Sequence, residues 1–239
     1  RRFLNLEISQ NSPQYAYSLG GYKKVLLQRN NLLKEIKLGN SSPSDLHIWN
    51  SQLAAFGASV INRRKSFLLS LAKYASEIYS LLTEESESFV LLYKSNPQIA
   101  ENCDEKEIAN LPLSQFNAKT EQDIARGTTT NGPQRDDFQI EINHLSARDF
   151  ASQGQQRTAA IAIRLAQMRI FQESAGESPV VLLDDVLAEL DENRRNSLMS
   201  MLCEGCQTLI TTTDLNEIPD NILQLSSIFE VNAGIVTRK

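Results

Sequence analysis

The 239-residue chain is 41% apolar and carries 24 basic against 29 acidic side chains, a formal charge of −5. That composition supports a real core in one large domain or two smaller ones. It excludes a chain drawn to nucleic acid by net charge, so any such contact needs a local patch. No run of about 18 apolar residues and no signal peptide occurs, so the expectation is a soluble, cytoplasmic protein with no membrane partner. Cys103, Cys203 and Cys206 are too few and too unevenly spaced for a disulfide framework, which fits a reducing compartment.

From the N-terminal side, Tyr15, Leu19, Tyr22, Leu26, Arg29, Leu33 and Ile36 are separated by alternating gaps of four and three. This is a coiled-coil-like seam interrupted by one arginine. Gly39-Asn40-Ser41 stops the helix. Ser42-Pro43-Ser44-Asp45 opens the next one, with Ser42 as N-cap, Pro43 at the first helical position and Asp45 in an acidic first turn. Trp49, Leu53, Phe56, Val60, Phe67, Leu71, Tyr74, Ile78 and Leu81 continue the spacing, with Arg63 or Arg64 filling the gap. Two helices joined by a short turn predict an antiparallel hairpin, either an ordinary helical subdomain or a projecting arm. Basic residues dominate positions 1–37, and Arg63-Arg64-Lys65 lies on the returning helix. Lys23, Lys24, Arg29, Arg63, Arg64 and Lys65 are therefore the candidates for DNA contact, against the plainer reading of a solvated helix face. Residues 84–107 are rich in glutamate and are expected to face away from DNA.

Ser88 to Tyr93 reads as a short strand and residues 104–126 as a helix with Asp104 near its start. After the threonine-rich loop Gly127–Gly132, the run Phe138-Gln139-Ile140-Glu141-Ile142 alternates as a half-exposed strand does. The loop Ser152-Gln153-Gly154-Gln155-Gln156-Arg157 then opens a helix over 155–173, with Ala159, Ile163, Ala166 and Ile170 on one stripe. Ser152 offers a hydroxyl, Gly154 admits close approach, and the amides of Gln155 and Gln156 face any anion. A helix N-cap alone would use the same residues.

Pro179-Val180-Val181-Leu182-Leu183-Asp184-Asp185 predicts a parallel strand buried on both faces, with its acids at the carboxyl end where open α/β sheets place ligands. Asp184 suits Mg2+ and Asp185 an attacking water, although strand ends also carry merely solvated acids. Asp191-Glu192-Asn193 opens a helix to Cys203. Cys203-Glu204-Gly205-Cys206 has redox or zinc spacing, yet no second pair exists and His47 and His144 are isolated, so Gly205 reads as a helix stop. Thr208-Leu209-Ile210 forms a strand ending in Thr211-Thr212-Thr213-Asp214. The last strand, Ser227 to Val231, precedes a turn at Gly234.

A capped helix, an aliphatic strand ending in acids, then Leu187-Ala188-Glu189-Leu190-Asp191 resemble the second half of an ABC-type ATPase head: signature loop, Walker B strand and D-loop. More narrowly, Gly132-Pro133-Gln134-Arg135-Asp136-Asp137, Ser152 through Thr158 and Leu182 through Asp191 resemble the RecF family, as do Arg1-Arg2-Phe3-Leu4 and Gln28-Arg29-Asn30. No Gly-x-x-x-x-Gly-Lys-Ser/Thr occurs, and Arg1 matches a position well inside the family's chain. The sequence is therefore read as a RecF protein without the N-terminal segment that holds the Walker A loop. The resemblance implies an α/β fold, the C-terminal lobe of an ABC-type ATPase head (127–239) preceded by a helical arm (1–126).

It also implies ATP and Mg2+ as ligands. Ser152, Gly154, Gln155 and Gln156 would grip the γ-phosphate held by a partner subunit, Asp184 the metal on its own side, and Asp185 the attacking water, where many ABC heads have Glu. Asp191 would lie across the dimer interface, and Thr212 or Thr213 would take the place of a switch histidine. Family members commonly have His where Gln134 stands, and Gln cannot titrate near neutrality. RecF-like proteins are expected to dimerise with ATP and bind DNA at single-strand gaps or duplex junctions. With RecR and RecO partners they direct recombinase loading in replication and repair, with slow ATP turnover. The alternatives are a non-catalytic dimerisation module and the head of another ABC or SMC-type ATPase. The hairpin before the signature argues against a transporter subunit, and its modest length against a long SMC coil.

Overall fold

The computed structural model describes residues 1–96, 105–203 and 206–239. It opens with α1 (Arg2–Asn11), which buries Leu4 and Ile8. Ser12 caps α2 (Pro13–Lys37) by accepting from the Tyr15 amide at 3.2 Å, with Pro13 in the first turn. The predicted stop follows α2, where Gly39 turns left-handed and the Asn40 amide reaches back 2.9 Å to the Glu35 carbonyl. Ser42 and Asp45 form a reciprocal cap over the short 3-10 turn Pro43–Asp45, and α3 (Leu46–Leu82) continues from it. Contacts between α2 and α3 pair rising with falling numbers: Tyr15 with Arg64, Ser18 with Ser59, Arg29 with Asn50. The hairpin is therefore antiparallel, and Leu33, Ile36 and Leu46 close its turn end in one apolar cluster.

The chain forms two compact units: Arg1–Lys73 with Val90–Glu141, and Tyr74–Phe89 with Ile142–Lys239. A single boundary at 126/127 does not describe this interleaved division. α3 contributes residues to both units. The segment read as one helix over 104–126 is two, α4 (Glu105–Ala118) and α5 (Thr120–Arg126), because Lys119 leaves helical geometry; Asp104 lies outside the described residues. The strands β1 (Phe89–Lys94) and β2 (Asp137–Ile142) belong to a three-stranded sheet of order β1-β2-β3, completed by the short β3 (Leu145–Ser146).

Two of the residues read as DNA contacts belong instead to the core of the first unit. Arg29 is fully buried: it donates from Nε to Asn50 Oδ1 (2.7 Å) and from Nη1 to Asp123 Oδ2 (2.8 Å) and Thr129 Oγ1 (2.7 Å), and it lies 5.4 Å over the Phe116 ring. Arg64 is 2% exposed and donates to Tyr15 Oη (3.0 Å), Asn5 Oδ1 (2.8 Å), the Pro133 carbonyl (2.6 Å) and Asp136 Oδ2 (3.3 Å). A cation sealed in this way has no face to offer a phosphate. Both arginines occupy seam positions on their helices, where the apolar spacing itself calls for burial. Lys23, Lys24 and Arg63 are exposed and Lys65 is half-buried.

The buried arginines tie down the loop from Thr128 to Asp137. Asp123 Oδ1 accepts from the Thr130 amide (2.9 Å) and hydroxyl (2.6 Å), and Asn30 Oδ1 accepts from the Thr129 amide (2.8 Å) and hydroxyl (2.7 Å). Gly132 has φ +118, and a Cβ there would lie 2.5 Å from Tyr22 Oη, so no other residue fits. Gln134 accepts from the Tyr22 hydroxyl and donates to the Asn131 carbonyl at 2.7 Å. Its amide thus serves as a neutral two-way link inside the loop. Asp136 accepts from the Tyr93 hydroxyl and, at 2.8 Å, from the Asn96 amide. Burial, helped by the Asp136 charge, pushes the Tyr22 and Tyr93 phenols far above the usual tyrosine range.

In the second unit, α6 (Ala147–Phe150) leads to α7 (Gln153–Ala175), whose expected stripe is buried at Ala159, Ile163 and Ala166 and half-buried at Ile170, with Ala162 and Leu165 buried beside it. β4 (Val181–Asp184) follows, then α8 (Glu192–Cys203) and β5 (Thr208–Thr211); the Gly205 stop lies outside the described residues. β4 and β5 pair in parallel with α8 as the crossover, from Val181↔Thr208 to Asp184↔Thr211. The expectation that β4 is buried on both faces fails: Leu182 is 72% and Leu209 50% exposed, while Val181 and Leu183 on the other face are half-buried. Pairing between the strands satisfies their facing edges, and no described element covers the face that Leu182 and Leu209 share. α9 (Asp220–Leu223) precedes the antiparallel hairpin of β6 (Phe229–Asn232) and β7 (Ile235–Arg238), which turns at Ala233-Gly234, both with positive φ. Its apolar side chains are likewise exposed. Among the described residues no helix is long and apolar enough to cross a membrane.

Candidate functional site

β4 ends in the two carboxylates because the strand's aliphatic run stops there, and both Asp184 and Asp185 are exposed. Asp185 adopts φ +54, a left-handed conformation that costs a non-glycine residue about 1–2 kcal/mol. The end of β5 holds it. The Asp185 amide donates to the Thr211 carbonyl and to Thr211 Oγ1, each at 3.2 Å, and the same hydroxyl donates to Asp184 Oδ1 at 2.6 Å. Two adjacent hard oxygen donors at a strand end fit Mg2+, which takes one or two carboxylates and fills its remaining positions with water and phosphate. No cluster of three or more metal-ligating side chains occurs among the described residues, so this pair would hold such an ion only with a bound ligand's help.

The threonines assigned to the switch position lie differently. Thr212 donates to Glu217 Oε2 (2.7 Å) and accepts from the Asp214 amide (3.1 Å), which commits its hydroxyl to the turn after β5. Thr213 follows it as an exposed residue. The threonine that touches the acid pair is Thr211, which the sequence reading passed over. Its only sequence signal is that it closes its strand as Asp184 closes β4.

At the head of α7, Ser152 and Gln155 form a reciprocal cap: Ser152 Oγ accepts from the Gln155 amide (3.2 Å), and Gln155 Oε1 accepts from the Ser152 amide (2.9 Å). The Gln156 amide donates to the Ser152 carbonyl at 2.9 Å. The amides of Gln155 and Gln156 are thus already used, contrary to expectation, and those of Gln153 and Gly154 are the ones with no acceptor within the helix. The side chains of both glutamines also hold the loop, Gln155 Nε2 to Glu87 Oε1 (3.1 Å) and Gln156 Nε2 to the Ala151 carbonyl (3.1 Å). Ser152 Oγ accepts in its cap, which leaves the hydroxyl proton to donate outward.

Asp191 is the N-cap of α8. Its Oδ1 accepts from the Arg194 amide (2.9 Å), and Oδ2 lies 3.3 Å from Arg194 Nε. The Arg194 guanidinium in turn stands 3.6 Å from the point a Cβ on Gly154 would occupy. Arg157 Nε pairs with Glu189 Oε2 at 3.1 Å. The loop at the head of α7 and the 187–191 segment are therefore neighbours in one unit, joined by two arginines to which the sequence reading gave no role. Their opposite charges beside each motif were the available signal.

No family model matches the chain. Curated relatives do: the DNA replication and repair protein RecF of Halothermothrix orenii is 39% identical over 245 residues, covering 100% of this chain and 64% of the relative. That of Exiguobacterium sp. is 36% identical over 236 residues, 99% and 63%. Two solved structures of the recombination mediator protein RecF in the RecFOR pathway, one with ATP and one with ATPrS, superpose at TM-scores of 0.82 and 0.81 with 32% and 33% identity. They cover the whole of this chain and 62% of theirs. The chain thus spans under two thirds of the length of the relatives it matches. In both sequence and fold, over its whole length, the chain belongs to the RecF family.

Proposed function

We propose that this chain carries the arm, signature loop and acid pair of an ATP-switched DNA-binding protein of replication and recombinational repair. The observation that carries the reading is the Asp184–Asp185 pair, held at the end of a parallel strand in the same unit as an N-capped signature helix. Two protomers would sandwich ATP. The Ser152 hydroxyl and the amides of Gln153 and Gly154 would meet the γ-phosphate bound by the partner, with Gln155 and Gln156 shaping the loop. Asp184 would ligate Mg2+ on its own protomer, an ion that neutralises charge on the β- and γ-phosphates. Asp185 would orient the attacking water and Asp191 would couple the two sites across the interface. ATP then favours the dimer, and turnover releases it.

The closed dimer would bind DNA at gaps or single-strand/duplex junctions through Lys23, Lys24, Arg63 and Lys65, and RecR- and RecO-like partners would join it to load recombinase. The names of the relatives and the RecFOR context of the superposed structures support this reading. The test uses the full-length gene product. Asp185→Asn is expected to retain ATP-dependent dimerisation by light scattering while ATP turnover stops. Turnover unchanged from wild type removes Asp185 from the catalytic role, and a wild type that neither dimerises with ATP nor hydrolyses it leaves the chain as an interaction module.

A further inference from the structure

The end of β5 holds a residue that no motif points to. Parallel register sets Thr211 opposite Asp184, and its side chain makes two bonds with different halves of the acid pair: it donates to Asp184 Oδ1 at 2.6 Å and accepts from the Asp185 amide at 3.2 Å. The Thr211 carbonyl accepts from the same amide at 3.2 Å. We propose that Thr211 is the positioning residue of the Asp184–Asp185 pair, a role that rests on the nucleotide reading above. A hydroxyl has one proton, and here it is committed to Oδ1, which leaves Oδ2 of Asp184 to face a cation. The lone pair of the same oxygen helps pin the Asp185 amide while Asp185 stands at φ +54, so the direction of the second carboxylate depends on it. Thr212, next in sequence, cannot substitute because its hydroxyl is turned to Glu217.

The arrangement separates side-chain chemistry from strand packing. Thr211→Val keeps shape and branching but can neither donate to Asp184 nor accept from Asp185, whereas Thr211→Ser keeps the hydroxyl. In the full-length gene product, Thr211→Val is expected to lower kcat for ATP and raise the Mg2+ concentration for half-maximal turnover, each by about 10–100-fold, the usual effect of losing a group that orients a metal-binding carboxylate. KM for ATP and ATP-dependent dimerisation should stay near wild type, because the signature loop is untouched. Thr211→Ser is expected to restore turnover. In the present chain, the carboxylate carbon resonance of Asp184 should move in Thr211→Val and not in Thr211→Ser, with unchanged melting of both variants. An active wild type with an equally active Thr211→Val overturns the assignment, as do equal losses in the Val and Ser variants, which would assign Thr211 to backbone packing. A wild type without ATP turnover overturns the nucleotide reading itself, and that result is distinct because it precedes any comparison of variants.

Discussion

Replacing Arg29 by methionine separates a core cation from a DNA contact. The substitution keeps the aliphatic stem and removes the guanidinium, so Asp123, itself fully buried, loses the counter-charge 2.8 Å away. Asn50 and Thr129 lose their donor as well. Breaking a buried pair by removing one partner costs about 3–5 kcal/mol. Arg29 Nη2 has no hydrogen-bond partner in the folded chain, and methionine relieves that orphaned group, which moves the expectation to the lower end, about 3 kcal/mol. Against a typical total of about 5–15 kcal/mol this is a large share. With a urea slope of about 3 kcal/mol/M, the unfolding midpoint followed by circular dichroism falls by about 1 M. Arg29→Met with Asp123→Asn should be more stable than either single variant, because the double leaves no uncompensated charge and Asn can still accept from Thr130. Lys23→Gln and Lys24→Gln, at exposed positions, should stay within about 0.5 kcal/mol of wild type and instead flatten the salt dependence of DNA affinity. Arg29→Met melting at the wild-type midpoint while weakening DNA binding as the lysine variants do would refute the core assignment.

Alkaline pH should destabilise the first unit through its buried phenols. Tyr22 and Tyr93 are held protonated by burial, so above about pH 10 the unfolded chain gives up protons that the folded chain keeps, and stability falls as pH rises toward the folded values. Their contribution is whole below that pH. Tyr22→Phe should make the decline in melting temperature shallower, and an unchanged slope would show that Tyr22 ionises freely. Gly154→Ala should leave the chain intact or raise its stability by about 0.5–1 kcal/mol, since the added methyl meets Arg194 Nη1 at 3.6 Å and Ser152 Oγ at 4.0 Å and the position is helical. ATP-dependent dimerisation of the full-length product should nevertheless weaken. A destabilised chain would show that the loop needs glycine for its own fold and not for a ligand.

Much of the architecture was legible because it is written within a few residues. Ser42, Pro43 and Asp45 announce the start of α3, and Ser152 with Gln155 the start of α7, because a cap is satisfied by amides one turn away. The alternating gaps of α2 and the alanine-rich stripe of α7 reported their buried faces through helical period alone. The same local reading located the acid pair, since an aliphatic run ending in two carboxylates needs no distant partner to be noticed. It failed where a local pattern was continuous across a structural change. Nothing in the composition of 104–126 marked the break at Lys119, and the periodicity of α3 runs through the division between the two units.

By itself the sequence determined the hairpin, its caps, the order of the elements and the place of the acid pair at a strand end, because period, capping and residue type act over one or two turns. Only the tertiary structure decided what each charge or hydroxyl meets. Arg29 and Arg64 looked like surface cations until the fold brought Asp123 and Asp136, 94 and 72 residues away, against them. Leu182 looked buried until the fold left its face of β4 uncovered, and three consecutive threonines were indistinguishable until parallel register set Thr211 beside Asp184. A side chain carries its own donors and acceptors, but its partner is chosen by chain closure over distances that no local pattern encodes.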